Sequence, residues 1–276
     1  MTSRRDQDQD LSDRVVLITG ASSGIGASTA KLLAQRFPPR ALALGYNRNE
    51  QGIRSTISAI QSQMPQNAAQ QKQQAHMQVE AFQADLCDEK QTVELYERVK
   101  KRFGRVDCVF INHGINGGKH LGPLGDIDDV SVEDFKSTWQ ANTLSPFVLT
   151  KCCIKEMASR GYGRIIYCSS VAALTGGVIG PHYSSSKSAL HGMMRWAANR
   201  HAKDGVTVNA VAPALIDGTG MINTDEKPEM KDALQRNIPI GRLGTVEEVA
   251  DVVLLLLTNS YITSKCWSLD GGWVHQ

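Results

Sequence analysis

The sequence carries almost no excess charge, because 30 lysine and arginine residues nearly balance 28 aspartate and glutamate residues. Nucleic acids and anionic membrane surfaces attract strongly basic chains, so a net charge of +2 argues against both as partners. No apolar run approaches the roughly 20 residues that cross a bilayer. The polar N-terminus is unlike a secretory or mitochondrial leader, and the C-terminus is not a peroxisomal signal.

Cysteine is scarce, and the six cysteines show no Cys-x-x-Cys spacing of the kind found in zinc or redox motifs. Most of them lie in apolar runs, which is typical of reduced thiols in the core of a protein from a reducing compartment. We therefore expect a cytoplasmic protein with no metal site.

Short apolar runs alternate seven times with stretches of helical spacing, and no internal repeat interrupts them. This alternation predicts a single Rossmann-type doubly wound α/β domain, with a seven-stranded parallel sheet and helices on both faces. Between the fourth and fifth strands two helices are predicted, over residues 131–141 and 143–159. The predicted strands cover residues 15–18, 41–46, 79–84, 106–111, 164–168, 206–211 and 264–269.

The remaining segments differ from this pattern in composition. Residues 1–13 are predicted to be a disordered tail and residues 14–276 the domain. Residues 65–78 are Gln-rich without apolar periodicity, which indicates a surface insertion. Residues 214–240 are rich in Gly, Pro, Asn and Asp, and we expect a substrate flap there with a short helix near residues 229–236.

The glycines after the first predicted strand are typical of a phosphate-binding turn between a strand and a helix. Gly20 permits the turn, Gly24 lets a pyrophosphate approach the backbone, and Gly26 lets helix and strand pack closely. Ser22 and Ser23 place hydroxyls close to the adenosine-side phosphates. An ordinary glycine-rich loop has the same pattern, so residues elsewhere in the chain must decide between the two.

Tyr183 and Lys187 are the strongest catalytic candidates. Residues four positions apart share a helix face, so the ammonium can lower the tyrosine pKa from about 10 towards neutrality. Such a tyrosine is a usable general acid or base. Tyr96 and Tyr261 also precede a lysine by four positions, but only Tyr183 follows the carboxyl end of a strand. Ser170 leaves that strand and can donate to a substrate carbonyl oxygen as negative charge develops.

Carboxyl ends of parallel strands meet at one edge of a sheet, so the residues that follow the strands should converge on one cleft. These residues are Thr19, Gly20, Arg48, Asp85, Asn112, Ser169, Ser170 and Pro213.

In this order, the motifs resemble those of the short-chain dehydrogenase/reductase family from Leu11 to Gly272, and the chain is most similar to its 3-oxoacyl-acyl-carrier-protein reductase branch. The resemblance implies that Tyr183 gives or takes the proton and that Ser170 polarises the carbonyl. It implies that Lys187 lowers the tyrosine pKa and binds the nicotinamide ribose, and that Asn142 anchors a water. The expected cofactor site consists of Gly20, Ser22, Ser23, Gly24, Ile25, Gly26, Asn47, Arg48, Asp85, Leu86, Asn112, Gly114, Tyr183, Lys187, Pro213, Ile216 and Thr219.

The chain departs from the family pattern at two places. His113 stands where the family usually has alanine, and we expect it to alter packing beside the cofactor without touching the chemistry. The segment after Pro213 has Ala214 for the usual glycine and is one residue longer before Thr219. The backbone of Ile216 is therefore expected, rather than Thr219, to contact the nicotinamide carboxamide.

The end of the second predicted strand bears on the choice of cofactor. An acidic residue there would accept the ribose hydroxyls of NAD and repel a 2′-phosphate. Here the strand runs into Asn47 and Arg48, and no acid occurs before Glu50. Arg48 can pair with a 2′-phosphate, so the sequence favours NADP(H) over NAD(H).

The substrate walls are expected from residues 115–125, 171–182 and 215–240. Their side chains are mainly apolar, which suits a hydrophobic ketone or an acyl thioester as the small-molecule substrate. His120 and His182 can contact a polar group. The apolar candidates are Leu121, Val171, Leu174, Met221 and Ile222.

The leading hypothesis is an NADP(H)-dependent oxidoreductase that reduces a ketone or 3-oxoacyl-type carbonyl. An NAD-dependent alcohol dehydrogenase and a catalytically silent NAD(P)-binding scaffold are the alternatives. A scaffold would have a damaged catalytic set, whereas all four residues are present here. The family pairs the helices at residues 143–159 and 183–203 across a dimer axis, which implies a homodimer or homotetramer. The same apolar residues could instead fill a monomer core.

Overall fold

A computed structural model describes residues 10–62, 72, 76–118, 121–122, 124–220, 235–236 and 238–274. In this part of the chain a parallel sheet of seven strands has the order β3-β2-β1-β4-β5-β6-β7, which confirms the predicted fold class. The strand order reverses between β1 and β4, and a crevice opens at such a switch point. The strands are β1 Val15–Ile18, β2 Ala41–Tyr46, β3 Gln78–Gln83, β4 Cys108–Ile111, β5 Gly163–Cys168, β6 Val206–Pro213 and β7 Cys266–Leu269.

Helices cover both faces of the sheet because alternate strand residues point to opposite sides. Val15 and Leu17 belong to a core under α3, α5 and α7, whereas Val16 and Ile18 pack towards α1, α2 and α8. The α-helices are α1 Gly24–Arg36, α2 Glu50–Ser62, α3 Glu89–Phe103, α4 Val132–Trp139, α5 Ser145–Ser159, α6 Ala172–Thr175, α7 Pro181–His201 and α8 Val246–Thr258.

The predicted break between two helices near residue 142 is wrong. A π-helical turn, Gln140–Leu144, joins α4 directly to α5. The flanking residues Trp139 and Ser145 both have right-handed helical backbone angles, so the chain never leaves the helix. Such a turn holds one extra residue and is frequent at functional sites. Asn142 lies inside it.

The predicted tail is too long at its C-terminal end, because the domain begins before Arg14. Leu11 is 1% exposed and packs in the core, and Asp13 accepts a hydrogen bond from Arg105. Residues 1–9 lie outside the described residues. So do most of the Gln-rich segment 65–78 and of the predicted flap, including the greater part of its helix.

Several strand ends also differ from the predictions. Strands β4 and β7 each begin two residues later than predicted, and β6 extends two residues further, to Pro213. Within the residues described above, no helix is long and apolar enough to cross a membrane. The same residues hold no group of three or more His, Cys, Asp or Glu side chains that could bind a metal ion.

Candidate active site

A cavity of about 1100 Å³ runs along the carboxyl ends of the strands. It brings together nearly all of the predicted site residues. Gly26 and Asn142 do not line it and lie behind its wall. The predicted residues that line it are Gly20, Ser22, Ser23, Gly24, Ile25, Asn47, Arg48, Asp85, Leu86, Asn112, Gly114, Ser170, Tyr183, Lys187, Pro213, Ile216 and Thr219.

The glycine loop between β1 and α1 makes a tight turn. Gly20 has a φ of +65° and Gly24 a φ of +55°, a region that L side chains rarely adopt. The Asn112 amide holds the turn, since its Nδ2 donates to the carbonyl oxygens of Thr19 and Gly20 at 3.1 Å. A Cβ at Gly26 would lie 2.4 Å from the Gly20 oxygen, so only glycine fits there.

The first turn of α1 faces the cavity without a side-chain cap. Ser23 is the N-cap residue, and its hydroxyl makes no capping hydrogen bond. Helix N-termini have backbone N–H groups without partners inside the helix, and they attract anions. Ser22, Ser23, Gly24 and Ile25 all line the cavity here. This donor set fits the pyrophosphate of a dinucleotide.

Tyr183 and Lys187 lie in the first turns of α7 and are 4% and 3% exposed. The Lys187 Nζ donates to the Cys168 carbonyl oxygen at 2.9 Å and lies 5.8 Å from the centroid of the Tyr183 ring. Burial raises the pKa of Tyr183, the nearby Cys168 thiol raises it further, and a hydrogen bond from Ser170 lowers it. Burial also lowers the pKa of Lys187. The lowered tyrosine pKa predicted from the sequence is therefore wrong for the protein alone, because loss of solvation dominates.

Asn142 acts on the loop after β4. Its Oδ1 accepts from the Ile115 amide and its Nδ2 donates to the Ile115 carbonyl, both at 2.8 Å. Nδ2 also donates to the Ser186 hydroxyl at 3.1 Å. At Gly114 a Cβ would lie 2.9 Å from Lys187 Nζ and 3.1 Å from Asn142 Oδ1. Lys187, Asn142 and the loop after β4 are therefore packed against one another around Gly114.

The two other Tyr-x-x-x-Lys pairs lie elsewhere. Tyr96 is 1% exposed in the core below α3, where its hydroxyl donates to Glu156 Oε2 at 3.3 Å and burial raises its pKa. Tyr261 is 98% exposed. Of the three tyrosines, only Tyr183 lines the cavity, as the topology predicted.

Comparisons with known proteins agree with this geometry. A sequence model of the family described as "Enoyl-(Acyl carrier protein) reductase" matches residues 41–274. An uncharacterized oxidoreductase of Bacillus subtilis is 33% identical over 95% of this chain and 99% of its own length. The 3-oxoacyl-[acyl-carrier-protein] reductase of Thermotoga maritima is 31% identical over 96% of this chain and 99% of its own.

The chain belongs to the short-chain dehydrogenase/reductase family. It is therefore an oxidoreductase of that family. The crystal structure of levodione reductase superposes with a TM-score of 0.81 at 27% identity, covering 94% of this chain and 97% of the other.

In this short-chain dehydrogenase/reductase, the end of the cavity that is expected to hold the adenosine lies between the ends of β2 and β3. Arg48 is exposed on the cavity rim beside Asn47. Opposite them, Asp85 accepts a hydrogen bond from the Cys87 amide at 3.0 Å. Glu50, the first acid after β2, forms a salt bridge with Arg54 on the next turn of α2. Glu50 does not line the cavity.

The substrate end agrees only in part with the prediction. Val171 lines the cavity, whereas Leu121 does not and Leu174 on α6 is 42% exposed. The expectation for His182 is wrong: it is fully buried, and its Nε2 lies 3.0 Å from the Asn116 carbonyl oxygen. His120, Met221 and Ile222 lie outside the described residues.

Sequence reasoning missed the segment after β7. Trp273 and Val274 line the cavity. The Asp270 carboxylate accepts hydrogen bonds from the amides of Gly272 at 2.9 Å and Val274 at 3.2 Å, which hold this turn in place. The position of this segment after the carboxyl end of a parallel strand was the available signal.

Proposed function

We propose that the protein is an NADP(H)-dependent reductase that converts a ketone or 3-oxoacyl-type carbonyl into an alcohol. One observation carries the proposal. Buried Tyr183 and Lys187 share a single cavity with Ser170, with the uncapped N-terminus of α1 and with Arg48. A dinucleotide whose pyrophosphate binds at the N-terminus of α1 can therefore extend to Tyr183 within the same cavity.

The chain's own residues supply the proton. A nicotinamide bound along this cavity would supply the hydride. Tyr183 keeps its hydroxyl protonated at neutral pH, because an ordinary tyrosine pKa of about 10 already lies well above 7 and burial raises it further. A general acid for carbonyl reduction must hold that proton. Ser170 contributes a hydroxyl beside it, which can donate to the oxygen of the substrate. As the proton leaves, the nearby Lys187 ammonium stabilises the phenolate.

The choice of NADP(H) rests on the end of β2. Arg48 is exposed on the cavity, whereas Glu50, the first acid after β2, does not line it. An arginine forms strong charge-assisted hydrogen bonds to phosphate. This arrangement supports recognition of a 2′-phosphate.

The lining near Tyr183 supports an uncharged, hydrophobic substrate. Among the described lining residues, the only lysine, arginine or carboxylate side chains are those of Arg48, Asp85 and Lys187. One sequence relative is named 3-oxoacyl-[acyl-carrier-protein] reductase and one structural neighbour levodione reductase. Both names are in line with reduction of a carbonyl. The apolar side chains at this end are Ile115, Val171, Ala172, Val178, Ile179, Trp273 and Val274.

Exposed apolar side chains support a homodimer or homotetramer. Phe147 on α5 is 48% exposed and Trp196 on α7 is 61% exposed. Leu144, at the start of α5, is 38% exposed. Large apolar residues exposed on neighbouring helices are typical of a face that pairs with another subunit. All six cysteines are free thiols, which supports the expected cytoplasmic location.

The test is a screen of ketones and 3-oxoacyl thioesters with NADPH and with NADH, followed through the loss of reduced-cofactor absorbance. We expect turnover that depends on the carbonyl and is faster with NADPH. Turnover with NADH alone would instead support the NAD-dependent alcohol dehydrogenase. Cofactor binding without turnover across the panel would support the silent scaffold.

A further inference from the structure

The ring of His113, directly after β4, joins two parts of the site that are far apart in sequence. Its Nδ1 lies 2.8 Å from the Thr19 hydroxyl, at the start of the glycine loop. Its Nε2 lies 3.0 Å from the Ser145 hydroxyl, and the ring also hydrogen-bonds to the Ala141 carbonyl. Ala141 precedes Asn142 in the π-helical turn.

The surrounding donors fix the tautomer of this ring. The Thr19 hydroxyl oxygen accepts the amide N–H groups of Asn112 at 3.0 Å and His113 at 3.3 Å. Both lone pairs are then in use, so the hydroxyl can only donate, and Nδ1 at 2.8 Å is a closer acceptor than the Phe110 carbonyl oxygen at 3.4 Å. The ring hydrogen therefore lies on Nε2 and is donated towards Ser145 and Ala141.

The ring stays neutral at physiological pH. Burial lowers the pKa of His113 to about 3, and the nearby Lys187 ammonium lowers it as well. A neutral imidazole has one donor and one acceptor, and here each one faces a different segment. An alanine at this position would provide neither.

The π-helical turn explains why a hydrogen-bond donor is needed at the position of His113 Nε2. Its i→i+5 hydrogen bonds displace carbonyl groups from the regular α-helical pattern, and such groups need another partner when they are buried. The Nε2–H group of His113 provides one for Ala141.

We infer that His113 is a positioning residue. Through Thr19 it fixes the glycine loop, and through Ser145, whose amide donates to the Gln140 carbonyl oxygen, it fixes the π-helical turn that holds Asn142. The inference rests on the proposed function for its catalytic consequence, but the bridge itself can be tested without turnover. It goes beyond the expectation that His113 only alters packing beside the cofactor.

The test is hydrogen–deuterium exchange of the whole protein without ligands, comparing His113→Ala with wild type. We expect exchange to rise about tenfold in both residues 19–26 and residues 140–145, because each loses a buried hydrogen-bond partner. His113→Gln keeps a side-chain N–H and is expected to restore protection in residues 140–145. Asn209→Ala is the matched control, since it breaks two buried hydrogen bonds, to Ile262 and Lys265, away from the cavity.

Function is measured on the same variants. We expect His113→Ala to raise the dissociation constant for NADPH and to lower kcat, each by about tenfold, whereas Asn209→Ala changes only the melting temperature. Unchanged exchange in both segments, or changes equal to those in Asn209→Ala, would overturn the inference. If wild type binds neither NADPH nor NADH, the proposed function fails while the exchange result still decides the role of His113.

Discussion

Replacing Gly26 with alanine tests the cofactor loop most directly, because the backbone angle at this position needs no glycine and only space is at issue. The new Cβ would lie 2.4 Å from the Gly20 carbonyl oxygen and 2.7 Å from Asn112 Nδ2. Ordinary contact begins near 3.4 Å, so the turn must move by about 1 Å. Backbone atoms on one side and a hydrogen-bonded amide on the other leave little room for this.

The energetic cost follows from the contacts that such a shift breaks. Asn112 Nδ2 donates to Gly20 at 3.1 Å, and this hydrogen bond keeps the turn closed. Overpacking a well-packed site costs about 1–3 kcal/mol. If the cost falls on the cofactor-binding conformation, the dissociation constant for NADPH rises by roughly 5- to 150-fold.

The assay is fluorescence titration of NADPH together with thermal unfolding of each variant. Gly192→Ala is the control, because Gly192 lies within α7 outside the cavity and nothing else in the described part of the subunit packs within 4 Å of its added Cβ. Its oligomeric state is measured beside that of wild type, since Gly192 and Trp196 share one face of α7. We expect that control to gain about 0.5–1 kcal/mol of stability and to bind NADPH as wild type does. Wild-type NADPH affinity in Gly26→Ala would refute the assignment of this loop to the pyrophosphate.

Three other variants probe the site and its surroundings. Tyr183→Phe should lower kcat by about 10²- to 10⁴-fold with NADPH affinity unchanged, while Tyr261→Phe keeps the wild-type rate; equal losses would contradict the catalytic assignment. Arg48→Ala should raise the KM for NADPH by about tenfold or more and leave that for NADH unchanged, and a parallel loss with both cofactors would argue against a 2′-phosphate contact. The hydrogen bond from Arg242 holds the pKa of Glu248 at about 2, so this carboxylate stabilises the fold above its ordinary pKa of 4.5 and loses that effect as the pH falls towards 2. Glu248→Gln should therefore lower Tm at pH 7 by an amount that corresponds to less than about 1 kcal/mol, since the pair is solvent-screened, and the difference from wild type should narrow on acidification. A difference independent of pH would contradict this assignment.

Local sequence patterns determined most of the fold. The bounds predicted for β1 and β2 agree with the structure, and α3 and α8 begin or end at strong local signals. For α8 this signal is a capping box, in which Thr245 and Glu248 satisfy each other's backbone groups. For α3 it is the Asp88 cap at one end and left-handed Gly104 at the other.

The strand ends determined the place of the site. Parallel strands bring their carboxyl ends to one edge whatever the detail of the helices between them, so Gly20, Asn112 and Ser170 had to converge. The same rule separated Tyr183 from Tyr96 and Tyr261, which share its spacing but not its topology.

Only the tertiary structure decided how these groups act on one another. The pKa of Tyr183 depends on how completely neighbouring elements bury it, and His182 proved to be buried rather than exposed to substrate. The ring of His113 contacts Thr19 and Ser145, at sequence distances of 94 and 32 residues. Periodicity and turn chemistry act over a few neighbouring residues, whereas desolvation and such bridges arise only when distant segments pack together. The sequence by itself therefore determined most of the strand-end residues that reach the cleft, and packing decided their protonation and their partners.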